Sequence, residues 1–370
     1  MKSFVHFSKG RVPRQAHVDI PEGLKDDELG RKGFYGRVAQ LYRRNDPTQY
    51  RATSDLKLWD FSSRRMSPAD ESDPAGAPLK VLYNEDCAMF VSKRKAAMPH
   101  FVRNADADEA HFVHVGTGTF ETEFGPVPYE PGDYVVIPKA TTYRVVPDSE
   151  ENHFFILETY GEMEVPDFGV FGRHAPFDPT LVYVPEPQVL ESEGQSEWEV
   201  RVKFGGEWHS IFYKWNPCDV EGWKGDLFPF KLNIRDINVI NSDTIHLPPT
   251  VHLFLQAPGL MVVNFLPRRA EEKKGAERPP WYHRNVDYDE VVFMHGGSFL
   301  GGPIPKGRIT LSPQGIHHGI PEPIRVMARN THDKIQRIEW ELVAVDTERP
   351  LKVTPEARAT DRDIVAAEGK

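Results

Sequence analysis

Short runs in which apolar residues alternate or cluster, such as YVVIP, HFFILETY, LMVVNFLP and RIEWELVAV, recur along the chain. Turn formers punctuate them, with 32 Pro and 28 Gly in 370 residues. This texture predicts many short strands joined by tight turns, a mainly all-β sandwich or barrel architecture with few short helices. One such helix is expected near LKDDELGRKGF, and the C-terminal VTPEARATDRDIVAAEGK reads as a polar, loosely held tail.

The same pattern occurs twice. RNADADEAHFVHVGTG from Arg103 aligns with RNVDYDEVVFMHGGSF from Arg284, and GDYVVIPKATTY from Gly132 aligns with GRITLSPQGIHH from Gly307. Two copies of one β-unit are therefore present. Together with the length, this suggests a first domain over 1–185, a second over 186–348 and a tail over 349–370.

The second copy carries metal-ligand chemistry. His283 is followed by Glu290 and then Gly297 at equal seven-residue steps, and Gly307, Pro313, Gly315 and His318 follow in the form G-x5-P-x-G-x2-H. The turns set by Gly and Pro bring His283 and Glu290 inward on one strand pair and His318 in from a later one. Two imidazoles and a carboxylate leave coordination positions open and suit iron(II), which must meet both substrate and O2. Neighbouring side chains on a strand face opposite ways. His318 is thus the expected ligand, and His317 should face away, in a structural or substrate-side role. Cys87 and Cys218 are the only cysteines, so no thiolate cage competes for a metal.

In the first copy Val102 stands for His283, Glu109 for Glu290 and Tyr143 for His318. With two ligands replaced, that unit should be free of metal and structural in purpose. The net charge of −10 is scattered, without the basic block that tracks phosphates, so nucleic acid is not an expected partner. The N-terminus lacks an apolar signal core and no run of about 18 apolar residues occurs. The expectation is a soluble, cytoplasmic protein with no membrane partner.

The two spacing motifs resemble those of the cupin superfamily, with Asn285 where a second histidine is common. The resemblance implies a bicupin of two β-barrel or jelly-roll domains. Further stretches, KGRVPRQAHVDIPEGLKDDEL, LYRRNDPTQY, NPCDVEGWKGDLFPFKLNIRDINVINS and ERPPWYHRN, resemble the homogentisate 1,2-dioxygenase family in order and spacing. That family opens the ring of homogentisate with O2 to give maleylacetoacetate. The resemblance implies His283, Glu290 and His318 as Fe(II) ligands, and His246, or its rival His252, as the acid/base residue. It also implies a homo-oligomer, trimer or hexamer. Tyr282 could orient the substrate or serve as a core aromatic. Asn285 either points into the pocket or holds a turn; with His317 and Phe299 it completes the substrate-side candidates. Arg43, Arg44, Arg235 and Arg284 could hold a substrate carboxylate.

The chain departs from the family between the carboxylate and the second histidine ligand. The segment from Val291 to Ser312 is shorter, with Ser312 in place of a pocket histidine and His295 and Lys306 nearby. Gentisate or another dihydroxy-aromatic acid is therefore an alternative substrate. The rival functions are a metal-dependent isomerase or hydrolase and a non-catalytic binding cupin.

Overall fold

In the computed structural model, which describes residues 8–32, 35–167, 172, 175–192, 194–244 and 251–363, the alternating runs pair into four sheets. The first unit stacks two of them. A seven-stranded sheet runs in the order Phe230–Asn233, Asp133–Ile137, Asp108–Val115, His153–Thr159, Cys87–Ser92, Leu79–Tyr83, Lys352–Val353. Its six-stranded partner runs Glu207–Tyr213, Trp198–Phe204, Phe101–Asn104, Thr142–Pro147, Gly118–Thr122, Gly125–Tyr129. The second unit pairs an eight-stranded sheet, built around Leu260–Phe265, Arg337–Thr347, Asp289–Phe299 and Arg308–Ser312, with a three-stranded one made of Tyr282–Asn285, Lys25–Lys32 and Tyr35–Arg43. This is a mainly all-β architecture of two units, each built from two sheets. Among the described residues the α-helices are two, Glu322–Asn330 and Pro355–Arg358.

Side-chain alternation divides the core. On His153–Thr159, Phe154 and Ile156 fill the first unit, whereas Phe155 and Leu157 face the second. On Asp289–Phe299, Val291 and Phe293 face the first unit, while Val292 and Met294 pack inside their own. The shared layer stacks Phe155 on Phe293 at 4.9 Å, and each ring so buried contributes roughly 1.5–3 kcal/mol. Equivalent positions of the repeat meet here: Phe112 lies 6.1 Å from Phe293, and His114 Nδ1 lies 3.0 Å from His295 Nδ1. Contacts between like positions are the mark of a twofold relation, here between two halves of one chain.

Three features of the chain differ from their expectation. The stretch expected as a helix, Lys25–Lys32, is a strand, parallel to Tyr282–Asn285 and antiparallel to Tyr35–Arg43. Its buried acids Asp26, Asp27 and Glu28 are held by Arg325, Arg43 and Gln40, partners distant in sequence that no local pattern reveals. The tail is docked as far as it is described: Ala357 is fully buried, Thr354 caps its helix, and Lys57 Nζ donates to Asp361 at 2.5 Å. Hydrogen bonding also crosses position 185 both ways. Strands from 198 to 233 complete the first unit, and strands from 25 to 62 complete the second.

Candidate metal centre

His283 comes from the three-stranded sheet, Glu290 from the eight-stranded sheet, and His318 from the Pro313–Gly315 turn region, so the three meet between two layers. A backbone bridge fixes the two histidines. His283 N donates to His318 O at 3.0 Å, and His318 N donates to His283 O at 2.9 Å. Gly315, at φ +78°, makes the turn possible, and its N–H donates to Asn285 O at 2.8 Å.

Both imidazole Nε2 atoms lie 3.6 Å from Glu290 Oε2, with the ring centroids 4.0 Å apart. Among the described residues these three alone gather ligand atoms within 4.8 Å of one another. Each ring is locked from behind, since His283 Nδ1 lies 3.1 Å from Trp281 O and His318 Nδ1 lies 3.2 Å from Ile316 O. Such bonds put the proton on Nδ1 and leave the Nε2 lone pair facing Glu290, the arrangement found in metal-binding histidines. His318 Nε2 is buried without a hydrogen-bond partner. This donor set fits a divalent transition metal with open positions.

The electrostatics agree. Against the upward push of burial, the His318 and His283 rings hold the Glu290 carboxyl well below the usual carboxylate range. Against the downward push of burial, Glu290 raises His283. Asp346, directly across the sheet from Glu290, is fully enclosed, and burial followed by the Glu290 charge pushes its carboxyl far up. Glu28 lies opposite His283 on the parallel strand and accepts from Gln40. Asp289 accepts from Gln314 N at 2.9 Å and from Leu351 N at 2.8 Å, anchoring the turn that presents His318.

Sequence reading missed Glu28, Asp346 and Asp289. Asp289 left a trace, because its repeat equivalent Asp108 does the same work, accepting from Lys139 N at 2.6 Å and Met163 N at 2.7 Å. The other two arrive by pairing across the sheets and leave no local signal.

Asn285 is turned inward, its Nδ2 3.4 Å from Glu290 Oε2, and Asn104 reaches Glu109 in the same way at 3.2 Å. His317 faces away, accepting from Arg284 Nη1 at 2.6 Å with Asp27 Oδ2 at 3.2 Å. Burial lowers its pKa in spite of Asp27. Tyr282 is buried on the side away from the triad. Its hydroxyl meets Asp46 at 3.2 Å and Glu322 at 3.3 Å, and its ring lies 4.3 Å under Arg325. Phe299 stacks on Trp340 at 4.8 Å within the second unit's interior cluster. Ser312 sits across the sheet from Glu290. Arg43 and Arg284 converge on Asp27, whereas Arg235 is mostly exposed and pairs with Glu130 at 2.7 Å on the first unit. His246 lies outside the described residues, and His252 stands opposite Asn264 on Val251–Ala257.

In the first unit the same backbone frame recurs, with Tyr143 paired to Val102 as His318 is to His283. The Tyr143 hydroxyl donates to Glu109 at 2.7 Å, so a hydroxyl stands where the second unit offers an imidazole nitrogen.

Residues 76–234 match the family model described as homogentisate 1,2-dioxygenase N-terminal. The resemblance read from the sequence is thereby borne out over that stretch, which covers the first unit and stops short of the triad. A protein of Saccharolobus solfataricus named "Putative dioxygenase" is 28% identical over 95% of this chain and 96% of its own. The cupin 2 conserved barrel domain protein from Leptotrichia buccalis shares 8% identity at a TM-score of 0.43, over 82% of this chain and 100% of its own. A Bacillus subtilis oxalate decarboxylase shares 11% at 0.39, over 83% and 81%. Among the described residues no helix is long and apolar enough to cross a membrane.

Proposed function

We propose that this chain, similar to the homogentisate 1,2-dioxygenase family across its first unit, is a non-haem iron(II) dioxygenase that opens the ring of a hydroquinone-type aromatic acid, homogentisate or a close relative, with O2. The observation that carries the reading is the triad: two Nε2 atoms facing one carboxylate oxygen at 3.6 Å, with both rings locked through Nδ1.

Iron(II) held by His283, Glu290 and His318 would supply adjacent open positions for a ring hydroxyl and for O2, and would lower the pKa of that hydroxyl. The protein's own part is positional. Asn285 steadies the Glu290 carboxylate from one side. Asp289 and the Gly315 turn hold His318 at its distance from His283. The apolar lining of the second unit, including Phe299, Trp340 and Met294, keeps bulk water from an aromatic substrate. His246 would accept and return the proton of a ring hydroxyl, a role suited to an imidazole titrating near neutrality. Tyr282, tied to Asp46 and Glu322, serves by buttressing the strand that carries His283.

The test is O2 uptake by anaerobically prepared, iron(II)-loaded protein offered homogentisate, gentisate and plain hydroquinone in turn. The expected result is uptake one-for-one with a hydroquinone acid, abolished in His318→Ala. Iron-bound protein that takes up no O2 with any of them would overturn the reading in favour of a non-oxidative cupin enzyme.

A further inference from the structure

The first unit has lost the metal triad but kept an interior. A cavity of about 540 Å³ lies inside it, within the range of roughly 300–1,000 Å³ typical of small-molecule sites. Its deep end is polar, with Glu109, His111 and Tyr143 buried together. Its walls are apolar, formed by Phe90, Met98, Val145, Phe154 and Ile156. Towards solvent it meets Lys80 and Arg201, with His100 buried beside them in the lining.

Charge and hydrogen-bond accounting decide what such a cavity would take. Each carboxylate that lines it already has partners. Asp70 accepts from Ser92 Oγ at 2.5 Å and Lys93 N at 3.1 Å, Glu109 from Tyr143 at 2.7 Å, and Glu158 from Lys203 at 2.6 Å. An amine ligand would have to displace one of them. The hydrogen-bond donors are less completely used, His100 among them as a neutral ring, since burial and then Arg201 lower its pKa to about 4. Arg201 spends Nε on Glu199 at 2.8 Å and Nη1 on Ala75 O at 3.1 Å, which leaves Nη2 with no protein partner among the described residues. His100 Nδ1 is buried and likewise has none, although the ring is only 5% exposed. Lys80 lies over the Phe90 ring at 5.7 Å, and its charge also acts on Glu158. Of these groups His100 Nδ1 is the buried one, and a bound acceptor would give it the partner it lacks.

We propose that the first unit is a binding site for a small organic monocarboxylate, its apolar body between Phe154, Val145 and Met98 and its carboxylate on Arg201 Nη2 and His100. Lys80 adds a positive potential at the entrance. The site is separate from the triad in the second unit, so the chain holds two small-molecule sites with different chemistry. This assignment does not depend on the reaction at the metal.

Titration calorimetry with phenylacetate as probe tests it, using the full chain and a His318→Ala background in which the metal centre is disabled. The expected result is one site that persists in His318→Ala and weakens at least tenfold in Arg201→Gln, a partly exposed position whose change leaves the core intact. The neutral analogue 2-phenylethanol should bind at least tenfold more weakly than phenylacetate. A cavity-filling Val145→Phe variant, checked for an unchanged circular-dichroism spectrum, should also lose the site. Binding that disappears in His318→Ala yet survives Arg201→Gln would overturn the proposal by placing the probe at the triad. Equal affinity for the alcohol, or no binding at millimolar phenylacetate, would also overturn it.

Discussion

At the scale of single residues, two glycines of the motif have the same backbone angle for different reasons. Gly297 and Gly315 sit at φ +79° and +78°. A Cβ on Gly315 would meet nothing within 4 Å, whereas one on Gly297 would fall 1.7 Å from Glu339 O on the neighbouring strand. Gly315→Ala should therefore cost only the strain of the left-handed region, about 1–2 kcal/mol, and Gly315→Asn less. Gly297→Ala adds a backbone clash and should cost on the order of 3 kcal/mol or more. Denaturant midpoints of the variants measure the difference, and equal costs would contradict this account. The same scale explains why His317 and His318 were separable from sequence. The two lie beyond the strand that ends at Ser312, and the backbone bridge of His318 to His283 sends its ring to Glu290 while His317 turns to Arg284 and Asp27. Asn285, whose direction was open in the sequence, is settled by Glu290, five residues on.

At the scale of elements, strands whose pattern closes locally were legible, and strands defined by distant partners were not. YVVIP and HFFILETY carry continuous apolar runs, buried on both faces, and fall on Asp133–Ile137 and His153–Thr159. KDDELGRK carries no such run, because its buried positions include acids, Asp26 bonded to His17 and Arg325 and Asp27 to Arg43, and it became a strand through Tyr282–Asn285. Where the two large sheets meet, three histidines gather. His114 lies 5.0 Å from His153 and 5.1 Å from His295, ring to ring. Burial, then neighbouring positive charge, lowers their pKa values to about 2 for His114, about 3 for His153 and about 4 for His295. Unfolded, each would titrate near 6.5. Below that pH the unfolded chain takes up protons that the folded chain refuses, so stability falls as pH drops from about 6.5 towards the folded values. By pH 5 each group can contribute a loss of up to about 2 kcal/mol. His153 Nε2 has no hydrogen-bond partner, and Lys93 and Arg64 add to the cost of charging the ring. His153→Phe keeps an aromatic edge on Phe293 and should flatten the decline in melting temperature between pH 7 and pH 5. A variant that declines as steeply as the parent would contradict this reading of the cluster.

At the scale of the molecule, the chain repeats one β frame and varies what it carries. Asn104 and Asn285 hold Glu109 and Glu290, and Asp108 and Asp289 anchor the following turns, which is why these positions coincide in the repeat. The replaced positions are those that face into each unit, Val102 for His283 and Tyr143 for His318. The repeat made the second unit's candidate site readable from spacing. Its surroundings were not readable, since Glu28 and Asp346 reach it only through strand pairing. The proposed division of labour is that the unit with the triad binds metal and the other does not. The most direct measurement is iron per chain after anaerobic loading and desalting, in the parent protein and in single variants. The account predicts one iron per chain, lost in His283→Ala, Glu290→Ala and His318→Ala and unchanged in Glu109→Ala. Two irons per chain, or iron that stays after His318→Ala and leaves after Glu109→Ala, would contradict it.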